Sequence, residues 1–271
     1  MNINKYYNVE TNTLCFPFFF NSILPNIPDN TLIIIFNDCF NQNVDNLPLS
    51  ITQITFGKLF NNSVNNLPKN LTHLTFGFCF NQPVDNLPNN LTHLIFGDFF
   101  NQPVDNLPIN LTHLTFGDFF NKYVDNLPNN LTHLTFGISF NQNVDNLPKN
   151  LTHLTFGMNF NKSITKLPVK LFYLGLGWKF ANKFLIPESV KELNLTCNNI
   201  ILNNLPEHVE KIYIYFDNKI ENNKIIDNLP PTIKEIIIDD IEYKNYLLKI
   251  PFGNIITIKN DIYIKNKSDY E

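Results

Sequence analysis

The chain has no arginine and a single alanine, Ala181. All its cationic side chains are therefore lysines, and its net charge is −4. A chain so poor in positive charge lacks the basic face with which proteins neutralise phosphates, which argues against a nucleic-acid binder. No apolar run approaches the ~18 residues of a membrane span. The apolar stretch Leu14 to Phe20 is short and reads as a first structural unit rather than as a secretory signal, since no small-residue cleavage site follows it. Cysteine is also scarce. Cys15, Cys39, Cys79 and Cys197 follow no metal-binding or redox spacing. Cys39 and Cys79 sit two units apart, so their Cα atoms are expected about 10 Å from each other if strands stack at ~4.8 Å. A disulfide needs less than about 7 Å. Reduced thiols and a cytoplasmic setting are the plain expectation.

What the chain has in quantity is phenylalanine, asparagine and isoleucine, residues whose codons are AT-rich. Proline and histidine need mixed codons, so their recurrence at fixed places points to structure rather than to codon bias. That recurrence is strict. LPKNLTHLTFGFCFNQPVDN (67–86) is followed by LPNNLTHLIFGDFFNQPVDN (87–106), LPINLTHLTFGDFFNKYVDN (107–126) and LPNNLTHLTFGISFNQNVDN (127–146). A period of 20 residues marks a solenoid, whose units are too small to bury a core alone and lean on their neighbours.

The register divides the chain. Residues 1–10 match no repeat, and 11–46 hold imperfect coils expected to act as a cap. The regular units fill 47–186. From 187 to 271 the spacing loosens into divergent repeats and a C-terminal cap. About twelve coils are expected, giving a body about 60 Å long at one strand per coil.

Within a unit, Leu71, Leu74 and Phe76 show the L-x-x-L-x-L spacing of a leucine-rich-repeat strand, and the period-2 rule turns His73 and Thr75 to the opposite face. Gly77 is expected to allow a change of direction. Phe80 and Val84 return to the core, and Leu87-Pro88 closes the coil. A proline in every return segment leaves an extended or turn-like back with little helix. The parallel sheet is expected to be the concave or flat face.

The units resemble the FNIP repeat family, leucine-rich-repeat relatives of social amoebae and of giant viruses that infect amoebae. The resemblance rests on FG-x-x-FNQPVDNLPxxLTHLTFG, with FNQP at 80–83 and 100–103 and the variants FNQN, FNNS, FNKY and FNKS in other copies. It implies a solenoid with an interaction role and supplies no catalytic residue.

Repeated residues become ladders. The columns Phe56 to Phe156 and Phe60 to Phe160 read as stacked aromatic spines. The column Asn41 to Asn161 is expected to satisfy backbone groups at the bend. Asp45, Asp85, Asp105, Asp125 and Asp145 stand where Asx-turns form. The Asn-Leu-Thr triplets from Asn70 to Asn150 match a glycosylation sequon, which in a repeat without a secretory signal reads as coincidence. His73, His93, His113, His133 and His153 form the most informative column. Imidazoles stacked ~4.8 Å apart repel one another when charged, so the ladder is expected to titrate below ~6.5. Zinc binding by adjacent pairs is the alternative use.

Specificity is expected where copies differ. The two residues after each glycine vary and include Phe78, Phe99, Phe119 and Trp178. They either form an apolar strip beside the sheet or fill the turn beneath it. With His73, His93, His113, His133, His153, Thr75, Thr115 and Thr135, they are the candidate surface for a protein partner. No catalytic residue, metal ligand or cofactor site is expected. His208, the one histidine outside the ladder, has no evident partner in its segment LPEHVEKI. The expected function is a non-enzymatic binding scaffold, with self-association into a structural assembly as the alternative.

Overall fold

A computed structural model describes residues 3–177, 179–180, 186–196, 205–215, 229–238 and 255–258. A 3₁₀ turn, Ile3–Tyr6, leads into β1 (Tyr7–Asn8) and β2 (Thr13–Cys15). Then follow β3 (Ile33–Ile35), β4 (Gln53–Thr55), β5 (His73–Thr75), β6 (His93–Ile95), β7 (His113–Thr115), β8 (His133–Thr135) and β9 (His153–Thr155). The longer strands β10 (Tyr173–Leu176), β11 (Glu192–Thr196), β12 (Lys211–Tyr215), β13 (Glu235–Ile238) and β14 (Ile255–Ile258) complete the order. All fourteen form one sheet in sequence order. From β2 onward every neighbouring pair is parallel, one coil per strand, so thirteen strands stack where about twelve coils are expected from the spacing. No α-helix occurs among the described residues.

The burial pattern explains the strands. In β5 Leu74 is buried while His73 and Thr75 are half-exposed, as alternation requires. Leu71, Phe76, Phe80, Val84 and Leu87 join Leu74 in the core, and the same set recurs in each regular coil. Within a coil the rings of Phe76 and Phe80 stack at 3.7 Å. Between coils the two columns continue as spines, Phe76 to Phe96 at 5.6 Å and Phe80 to Phe100 at 6.1 Å. No unit owns a core. Each ring is covered by the coils before and after it.

Backbone polarity is satisfied by a second ladder of side chains. The Oδ1 of Asn81 accepts the N–H of Asn101 at 2.9 Å, and the bond repeats from Asn21 through Asn161. The sequon asparagines have a similar task. The Nδ2 of Asn90 donates to the carbonyl of Lys69, and Asn70, Asn110, Asn130 and Asn150 do the same one coil apart. The aspartates differ from the Asx-turn expectation. Asp85, Asp105 and Asp125 reach across to the Nδ2 of Asn106, Asn126 and Asn146 in the next coil. Side chains at this back surface bind coil to coil, because one coil is too short to satisfy itself.

The glycines also serve a different end from a change of direction. None of the described glycines has a φ in the left-handed region. A Cβ on Gly97 would lie 1.9 Å from the carbonyl oxygen of Gly77, and Gly77 stands in the same relation to Gly57 at 2.0 Å. The chain packs backbone on backbone there, and glycine is required for space rather than for torsion.

The first strand pair closes the amino-terminal end. β1 runs antiparallel to β2, and the turn places Asn12 at φ 51°, a left-handed conformation that asparagine tolerates. Its Oδ1 accepts from Tyr7 and Asn30. Ile3, Tyr6 and Tyr7 pack over the end of the core.

Candidate functional site

The five histidines form a continuous stack. Ring centroids of His73, His93, His113, His133 and His153 follow one another at 4.3, 4.2, 4.2 and 4.2 Å, with planes 11–12° apart. Tyr173 continues the row at 5.7 Å from His153. Each imidazole is fixed by the threonine before it: Oγ1 of Thr112 lies 2.9 Å from Nδ1 of His113, and the four other pairs repeat the distance. The carbonyl beneath, that of Thr92, accepts the N–H groups of Thr112 and His113 at 2.9 and 3.0 Å and the Thr112 hydroxyl at 3.1 Å. Each threonine thus ties its imidazole to the coil before it.

Charging the ladder is unfavourable. Burial pushes His93, His113, His133 and His153 below the usual imidazole range, with His133 down to about 4. Neighbouring imidazoles add to this at His93, His113 and His133, while Glu192 opposes it at His153. The expected direction holds, but desolvation is its first cause and mutual repulsion its second. The stack also does not suit the zinc alternative. Near-parallel rings send their in-plane lone pairs along parallel lines, whereas a tetrahedral ion needs ligands converging at about 2.0–2.1 Å.

Beside the histidines runs a second column on the same face, Thr75, Ile95, Thr115, Thr135 and Thr155, aligned by the strand register. Ile95 breaks its threonine pattern and is 44% exposed. Towards the carboxyl end the face becomes charged and aromatic. The Tyr213 hydroxyl donates to Glu192 at 3.0 Å, and Lys211 pairs with Glu235 at 2.9 Å.

The variable residues after each glycine point outward rather than fill the turn. Phe99 and Phe119 are 43% and 50% exposed, and Leu59, Ile138 and Met158 are exposed too. Phe78, half-buried, meets Phe99 at 4.4 Å, and Phe99 meets Phe119 at 5.1 Å. Backbone bonds hold this rim in register: Phe99 N–H donates to Phe78, and Phe119 N–H to Asp98. Two carboxylates stand among the rings. Asp98 is raised from the usual carboxylate range by burial and then by Asp118, one coil on. Trp178 lies outside the described residues.

Leu59, Asp98, Asp118, Ile138 and Met158 are the other variable residues after the glycines, and they share this surface. Ile95 is the member that the sequence does not single out, and its signal is its place in the Thr75 column. His208 stays apart. Its Nε2 is buried without a hydrogen-bond partner among the described residues.

The columns also measure curvature. Equivalent rings lie 4.2 Å apart in the histidine row, 5.5–5.7 Å in the row from Phe56 to Phe156, and 6.1 Å in the row from Phe60 to Phe160. Twist about the long axis would space the histidines more widely than the core, because they lie farther out. They are closer. The coils therefore fan about an axis on the histidine side, and the strand face is concave.

One strand per coil, a concave parallel sheet, a core shared between coils and a turn-built back define a leucine-rich-repeat-like solenoid. The FNIP Repeat profile matches six overlapping windows, residues 40–79, 60–99, 80–119, 100–139, 120–159 and 140–179, and the chain belongs to the FNIP repeat family. Among solved structures it is similar to CroV588 of a giant virus, described as a novel circular LRR protein, with 37% identity and a TM-score of 0.73. That match covers 90% of this chain and 39% of CroV588. YopM from Yersinia enterocolitica WA-314 shares the fold at 18% identity and a TM-score of 0.56, over 88% of this chain and 57% of that one. The chain thus spans less than two thirds of either. No curated protein matches it.

Proposed function

We propose that this chain is a non-enzymatic protein-binding scaffold, presenting its concave strand face and the adjoining aromatic rim to a protein partner. The observation that carries this is the rim. Phe78, Phe99, Phe119, Leu59, Ile138 and Met158 line up on consecutive coils and leave apolar surface in water. A buried core already serves every coil, so folding does not need these side chains outside. Contiguous exposed apolar surface of this kind marks interaction sites. The histidine and threonine columns beside it add hydrogen-bonding groups.

The family supports an interaction role, and the circular form of CroV588 is matched here by the concave bend of the regular coils. A cytosolic setting, of the host if the source is viral, is supported by the free thiols of Cys15, Cys39 and Cys79. Self-association is the second reading, favoured by the near-identity of the middle coils.

The test is affinity capture of protein partners by wild type and by the His93→Glu, His113→Glu, His133→Glu triple variant, with Asn129→Glu on the back as control. Loss of a partner in the triple variant alone is expected. Equal capture by all three would overturn the proposed face. Sedimentation at rising concentration separates the second reading: a monomer throughout excludes it.

A further inference from the structure

The ladder spacings limit what can sit on the concave face. Between the histidine row and the Phe76 row, on opposite sides of one strand, the repeat distance grows from 4.2 to about 5.6 Å over a depth of about 10 Å. That gradient corresponds to about 8° of rotation per coil. The histidine planes differ by 11–12° from coil to coil, a rotation that includes twist as well as fan, and the two measures bracket the fan at about 8–12°. At about 10° per coil the histidine row follows an arc of radius about 24 Å. From β3 to β10 the face runs about 30 Å along this arc.

An extended peptide or a single helix has a radius of about 5 Å and would touch so shallow a trough along one line only. A sphere of about 24 Å radius corresponds to a folded domain of about 150–300 residues. Charge narrows the partner further. Asp98 and Asp118 stand among the rim rings, and neither enters an ion pair among the described residues. A second copy applying its own rim would bring four such carboxylates together, in a chain whose net charge is already −4. A partner with lysine or arginine at those points would relieve the repulsion instead.

Resting on the scaffold reading, we infer that the partner is a compact folded domain of about 150–300 residues, held by its convex surface, with basic side chains opposite Asp98 and Asp118. The experiment is site-specific photo-crosslinking in lysate of cells that make the protein. A benzophenone amino acid replaces Thr115 on the face, Phe119 on the rim or Asn129 on the back, and the joined peptides are mapped. The inference expects Thr115 and Phe119 sites to join residues of one folded domain of that size, near lysines or arginines, with no product from the Asn129 site. Asp98→Asn with Asp118→Asn should reduce the yield about tenfold at low salt. Crosslinks to an extended segment, to a second copy, or unchanged by the aspartate substitutions overturn the inference while leaving a binding face. No product, or equal products from all three sites, overturns the scaffold reading with it.

Discussion

The carbonyl oxygen of Gly77 lies 1.9 Å from where a Cβ on Gly97 would be. The obstacle is backbone, which cannot turn aside as a side chain can. Gly97→Ala should therefore force neighbouring coils apart and cost about 3 kcal/mol or more, at the upper end of overpacking effects. Gly175 supplies the contrast, because its Cβ would meet the Thr155 side chain at 2.9 Å. Urea unfolding should show Gly175→Ala much milder than Gly97→Ala. Equal losses would contradict the backbone-on-backbone packing.

The asparagine ladder predicts graded losses. Asn101→Ala leaves the exposed N–H of Asn121 to water in place of its acceptor and should cost about 0.5–1.5 kcal/mol. Asn101→Asp keeps an acceptor in place and should cost clearly less. Denaturation midpoints of the two variants check the order.

A spine phenylalanine should be costlier than any surface residue. Phe100 is fully buried and stacks on Phe96 at 3.7 Å. Phe100→Ala removes contacts in its own coil and in both neighbours, with an expected loss of about 3–5 kcal/mol. Phe119→Ala, on the rim, should change stability by about 0.5 kcal/mol or less. Calorimetry of both variants tests whether the rim is outside the core.

Stability should fall with acid. The unfolded histidines titrate near 6.5, whereas His93, His113, His133 and His153 lie lower when folded, His133 at about 4. The unfolded chain then binds more protons between those values, so stability is full above about 6.5 and is lost as pH falls towards about 4. The melting temperature should be lower at pH 5 than at 7.5, by about 2–4 °C for each kcal/mol lost. Changing all five ladder histidines to glutamine should shrink that difference. An unchanged difference would place the acid sensitivity elsewhere.

Much of this architecture was legible because each residue type repeats in one environment. Leu74, Phe76 and Phe80 announce the core, His73 and Thr75 the opposite face, and the asparagine column its backbone role. What stayed hidden are distances between coils, which no single repeat encodes. The need for Gly97 follows from how closely two backbones approach, and the partner of Asp85 from how far a carboxylate reaches along the stack. Curvature emerges only when columns on opposite sides of one strand are compared. The antiparallel β1 was invisible for another reason: residues 1–10 share no pattern with the units they cap.

Contact of the histidine row and the rim with a protein can be read at single residues. Diethyl pyrocarbonate labelling of the ladder histidines, with and without a captured partner, is the measurement. His93, His113 and His133 should be protected on binding while His208 is unchanged. Binding that leaves the three ladder histidines as reactive as before would contradict it.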